Sequence, residues 1–181
     1  MIGRLVNYLA FQLGWFSCVE GAARGHGLAG LCVALLVIAA HLARTPGRAR
    51  EAALLVLATA VGAVIDSLFV SGERLRFAAS PQGSHLPPAW DLVLWPLFAT
   101  TLNSSLGWLR GRPVLAALCG AIGGPLAYSA AERLGAVRIV APQVTLPWLA
   151  LSWGALTPFL LDMARRLSGT ARTPEVAARG A

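Results

Sequence analysis

Residues 90–134 constrain this chain more than any other stretch. They read WDLVLWPLFATTLNSSLGWL, then RGRP, then VLAALCGAIGGPLAYSAAERL. Two apolar segments, 90–109 and 114–134, are joined by a tight turn carrying Arg110 and Arg112. A helix needs about 20 mostly apolar residues to cross roughly 30 Å of hydrocarbon, and both segments meet that length. Their content is unusual for a span. The first holds Asp91, Pro96, Thr100, Thr101, Asn103, Ser104 and Ser105, and the second holds Gly120, Gly123, Gly124 and Pro125, followed by Tyr128 and Glu132. Polar groups in hydrocarbon are costly unless they face protein, so the hairpin is expected inside a helix bundle.

Composition agrees. Hydrophobic residues make up 56% of the 181 and charged residues 13%, with a mean hydropathy of +0.65, far from the soluble range. The net charge is +7, and all fifteen basic residues are arginine. They lie between apolar segments and not on one polar face, which excludes a nucleic-acid-binding surface. Cys18, Cys32 and Cys119 fall within apolar segments, without zinc or redox spacing, and read as small hydrophobes. The first apolar stretch is too long for a signal h-region and is interrupted by Asn7, Gln12 and Glu20, so it is expected to stay attached.

Six spans are expected, at about 2–23, 28–42, 52–70, 90–109, 114–134 and 147–164. Residues 1–167 form one membrane domain, and 168–181 form a disordered cytoplasmic tail. Arginines fix the orientation. The loops on one side hold Arg4, Arg44, Arg48, Arg50, Arg110, Arg112, Arg165, Arg166, Arg172 and Arg179. Those on the other hold Arg24, Arg74, Arg76, Arg133 and Arg138. Ten against five places both termini in the cytoplasm by the positive-inside rule. No repeat relates the first three segments to the last three, as inverted-repeat transporters require. The segments at 2–23, 90–109 and 114–134 are expected to form the interior, with 28–42 peripheral. The loop 44–51 is read as a short basic connection, and the middle of 71–88 as an amphipathic turn at the interface.

The candidate residues fall into three groups. Gly120 and Gly124 form a GxxxG that lets backbones approach closely, and Pro125 lacks an N–H, so a kink is expected near residues 121–125. Packing is the favoured role; an unwound half-helix binding an ion is the alternative. Asn7, Gln12 and Asn103 are interior polar groups, and an Asn7–Asn103 amide bond would act as interhelical glue worth about 0.6–2 kcal/mol. The third group is acidic. Glu20, Asp66, Asp91 and Glu132 come from four segments, yet all fall near the non-cytoplasmic ends, where they form a candidate functional polar site. Asp66 is the deepest-looking, within VGAVIDSLFV. It must be paired across helices, hydrated or neutralised. Arg24, His26, Arg74 and Arg76 are the candidate partners, and Glu20 is the like-charged neighbour. HExxH and GxSxG are absent, so no catalytic residue, metal or cofactor is expected.

The order Asn7-Tyr8, Phe11-Gln12, Trp15-Phe16, Asp66, Trp95, Thr101-Leu102, Ser105, Trp108-Leu109, GAIGGPLAY ending at Tyr128, and Leu134-Gly135-Ala136 resembles the bacterial inner-membrane family catalogued as domain of unknown function 2878. The resemblance covers roughly residues 7–167, and GAIGGPLAY is its most specific piece. It implies a multi-pass protein of the bacterial inner membrane, with the lipid bilayer and lipid-modifying enzymes as partners. The leading expectation is a protein accessory to membrane-lipid modification or envelope homeostasis. A small-solute or ion transporter using Asp66 and an interrupted GAIGGP helix is the alternative, and an intramembrane enzyme using the outer carboxylates is the third.

Overall fold

The computed structural model describes residues 2–78, 80 and 85–169, and they form an all-α bundle. α1 (Ile2–Ala23) and α2 (Gly27–Arg44) make an antiparallel pair, as do α6 (Pro113–Leu134) and α7 (Pro142–Gly169). Between the pairs lie α3 (Arg48–Ser71) and a broken element, α4 (Ala89–Leu92) continued by α5 (Leu94–Leu102) and a 3₁₀ turn at Gly107–Leu109. Two short strands, β1 (Leu75–Phe77) and β2 (Val137–Ile139), pair antiparallel. α2, α3, α6 and α7 are each long and apolar enough to cross a membrane.

Small residues set the packing. A side chain on Gly30 of α2 would lie 2.2 Å from the Ser17 carbonyl of α1, so these two helices touch backbone to backbone. On α6, Gly120 lies against the Trp153 carbonyl and Thr157, and Gly124 against the Trp153 ring, which makes the GxxxG a packing seam with α7. α6 runs uninterrupted through Pro125. The favoured packing role holds and the alternative of an unwound half-helix does not form; one lost backbone bond is offset by the rest of the helix and its seam with α7. Gly135, at φ 89°, caps α6 in the left-handed conformation that glycine adopts without strain.

The break in the fourth segment has a local cause. Pro96 supplies no N–H and crowds the carbonyl four residues back, that of Leu92, where α4 ends. At the other end Thr100 and Thr101 turn their hydroxyls onto the carbonyls of Leu97 and Phe98, loosening the helix before Asn103. The expected 20-residue span is thus the shorter broken stretch Ala89–Leu102, about 21 Å long at 1.5 Å per residue.

Three other expectations are corrected. The fourth segment, α4–α5, is interior as expected, but its main interior companion is α3 and not the first and fifth segments. α3 buries Glu51, Leu54, Leu55, Ala58, Gly62, Asp66 and Phe69, whereas α6 buries only Ala116, Gly120, Gly124 and Ala131. Hydropathy alone did not distinguish them, because apolar residues face outward here as readily as inward: Leu118, Ile122 and Leu126 of α6 are exposed. The loop 71–88 holds β1 in place of an amphipathic turn, since Leu75 and Phe77 alternate with Arg76 and find a partner strand in the second loop. Finally, α7 begins at Pro142, a favourable first helical position, and runs to Gly169, beyond the expected span and two residues into the expected tail. Residues 170–181 lie outside the described residues.

The strand pair fixes the alternation of the chain. Because β1 follows α3 and β2 follows α6, these connections meet at one end of the bundle, with Arg76 directly opposite Arg138. The start of α1, the α2–α3 connection and the ends of α5 and α7 meet at the other, as side-chain bonds between residues 7 and 105, 41 and 51, and 103 and 168 show. Eight described arginines lie toward this second end.

Candidate functional site

Of the four candidate carboxylates, the fold brings two together. Asp66 on α3 and Asp91 on α4 are both buried and lie side by side. Glu20 stays on the outer part of α1, paired with Arg24. Glu132 is used locally, its Oε1 accepting the Ile139 backbone N–H at 2.7 Å and tying β2 to α6. Neither joins the pair.

The partners of Asp66 differ from those expected. No arginine or histidine among the described residues forms an ion pair with Asp66 or Asp91. The Trp95 indole N–H donates to Asp66 Oδ2 at 2.5 Å, and the Tyr128 hydroxyl donates to Oδ1 at 2.7 Å. The loop bases start their chains beyond the helix end, whereas Trp95 and Tyr128 project at the depth of Asp66. Gly62, one turn before Asp66, makes the room: any side chain there would lie 2.0 Å from the Trp95 ring. Trp95 then stacks on Trp153 of α7, with ring centroids 4.9 Å apart and planes within 9°.

Asp91 is satisfied less completely. Its Oδ2 is buried and accepts no hydrogen bond, and the Thr157 hydroxyl on α7 is likewise buried and unpartnered. The Trp153 indole N–H sits near the Tyr128 hydroxyl but outside hydrogen-bonding geometry. Buried polar atoms without partners are uncommon, and each calls for an explanation.

All these groups line one cleft. It lies between α1 and α6, is floored by α4–α5 and by Trp153, and has a volume of about 620 Å³, within the range of ligand sites. Phe11, Trp15, Trp90, Trp95 and Phe98 line it with their rings, and Gln12 faces it from α1. Its rim residues Tyr8, Phe16 and Leu126 are about half exposed, so the cleft opens sideways, on the face where α1 and α6 also expose Leu9, Leu13 and Ile122. Gly123 lines the α6 wall and has open space where a side chain would be.

The other end of the bundle carries a separate polar network. Asn7 does not bond to Asn103 as expected. It donates to the Thr100 carbonyl at 3.2 Å and accepts from the Ser105 hydroxyl at 2.7 Å, because the shortened α5 presents its last turn to α1. Asn103 instead donates to Glu51 Oε2 at 2.6 Å and accepts from Ser168, while His41 bonds to Glu51 Oε1 at 2.8 Å. Glu51, read as part of a loop, is a buried residue in the first turn of α3. Its position directly before an unbroken apolar run was the available signal. Near it, burial holds the Arg110 guanidinium below its ordinary value, against the attraction of Glu51.

The comparisons follow this geometry. Residues 4–159 match the family described as Protein of unknown function (DUF2878). The chain belongs to that family. No curated protein and no solved structure shows significant similarity to it. The expected resemblance is thereby established, and the membrane-type bundle with its cleft is a property of a member of this family.

Proposed function

We propose that this protein is a multi-pass protein of the bacterial inner membrane that takes an amphipathic, lipid-class molecule into the cleft between α1 and α6, as an accessory to membrane-lipid modification or envelope homeostasis. One observation carries the reading: an aromatic and aliphatic cleft of about 620 Å³ opens on an apolar flank, and its lining includes Asp91, whose Oδ2 is buried without a partner. A molecule with an apolar tail and a polar end matches that pattern, since the tail covers the rings and the polar end completes the open hydrogen bonds. Six crossings, with α4–α5 as a short central one, and cytoplasmic termini follow from the alternation of helices and the arginine bias. Reporters fused after Arg48 and after Gly135 are expected on opposite sides.

The adjacent Asp66 and Asp91 favour a second reading, a transporter that moves a cation or small solute past the carboxyl pair. Lipidomics of a deletion strain separates the two. On the leading reading, deletion changes the acyl or headgroup profile, wild-type protein restores it, and Gly123→Leu, which fills the cleft, does not. An unchanged profile with altered uptake or efflux would replace it with the transporter.

A further inference from the structure

The cleft also states what its occupant must carry at the polar end. Resting on the reading of the cleft as an amphiphile site, we infer that the ligand's headgroup is an ammonium-type cation with N–H donors, seated against Asp91. Both oxygens of Asp66 are occupied, by Trp95 and Tyr128. Asp91, 5% exposed, keeps Oδ2 open, and Asp91 is part of the cleft lining. No cation of the described residues pairs with either side chain, so the protein brings two neighbouring carboxyls into a low-dielectric surround without a counterion of its own.

Headgroup chemistries differ sharply in how they meet this. A phosphate, sulfate or carboxylate presents acceptors and negative charge, and is repelled. A hydroxyl supplies the missing donor and leaves the charge uncompensated. An ammonium supplies both, through a charge-assisted hydrogen bond of the stronger class. The walls suit it as well. Trp15 and Trp90 are among the lining residues, and indole rings attract a cation. The remaining lining, with Phe11 and Phe98 among it, takes the tail.

The test uses the full-length protein in a non-ionic detergent and three probes with identical brominated tails: a primary alkylamine, an alcohol and a monoalkyl phosphate. Trp15, Trp90, Trp95 and Trp153 line the cleft, so bromine quenching of their fluorescence reports occupancy. The quenching lost in Gly123→Leu defines the cleft-bound part. The amine is expected to bind at least about tenfold more tightly than the phosphate, as one charge-assisted hydrogen bond implies, with the alcohol between them. Asp91→Asn should erase the amine's advantage and leave alcohol binding intact; the ranking of the three probes on wild-type protein stands as a test even where that variant fails to fold. Equal binding of all three, or preference for the phosphate, with cleft dependence retained, would overturn the headgroup inference and leave the amphiphile site standing. Absence of cleft-dependent quenching by any probe would overturn both.

Discussion

At the arginine-rich end of the bundle, Glu51 is buried and each of its oxygens meets a partner, His41 on one side and Asn103 on the other. At the opposite end, Asp66 and Asp91 are buried together, and one oxygen of Asp91 meets nothing while facing a cleft. The same chemical group thus serves two purposes. Glu51 joins α2, α3 and α5 within the protein, and Asn103 passes the connection on to Ser168 of α7. Such a closed network holds helices in register. The Asp66–Asp91 pair is held by Trp95 and Tyr128 on the Asp66 side, while Asp91 lines the cleft with one oxygen unpartnered. The difference lies in satisfaction and in the bases at hand, His41 and Arg110 beside Glu51 and none among the described residues on the Asp66–Asp91 pair, and not in burial.

Substitutions can break this contrast at either end. The largest effect is expected from Glu51→Ala, which strips both His41 and Asn103 of a buried acceptor and should cost about 3 kcal/mol or more. It would appear as reduced abundance and a lowered melting temperature in detergent. Surviving folded protein should still bind cleft ligands. Next comes Gly62→Ala, whose new methyl would sit 2.0 Å from the Trp95 ring. Displacing that ring should cost about 1–3 kcal/mol and should also weaken cleft binding, because Trp95 both floors the cleft and holds Asp66.

Tyr128→Phe removes a single donor from Asp66 Oδ1. A loss of about 1–2 kcal/mol is expected in thermal melts, the scale of leaving one buried acceptor unpaired. A loss as large as that of Glu51→Ala would show the outer pair to be the structural network. The smallest stability effect belongs to Gly123→Leu, within about 0.5 kcal/mol, since the position has open space around it. Its melting temperature should match the wild type while its ligand binding does not.

How far these features were legible in the sequence follows from the physics of each. The helical membrane-type bundle and the close packing at Gly120 and Gly124 could be read, because they depend on apolar length and missing side chains. Asp66 was legible as a buried carboxylate in an apolar run. Its partners were not. A search for opposite charge led to Arg24, His26, Arg74 and Arg76, whereas the fold satisfies Asp66 with neutral donors of rings that hydropathy counts as apolar. Glu51 was hidden by its neighbours: within RTPGRARE it resembles a loop residue, and only the docking of α2 and α5 reveals it as interior. The cleft could not be read at all. It is a gap between α1 and α6, and a gap depends on where helices stop short of one another, which no local pattern encodes.

The central claim, that the cleft between α1 and α6 holds an amphiphile, is tested most directly by native mass spectrometry of the protein released from its own membrane in mild detergent, comparing wild type with Gly123→Leu. The account predicts a discrete lipid-mass adduct on the wild type that is absent from the equally folded variant. Identical adducts on both, or none on either, would contradict it.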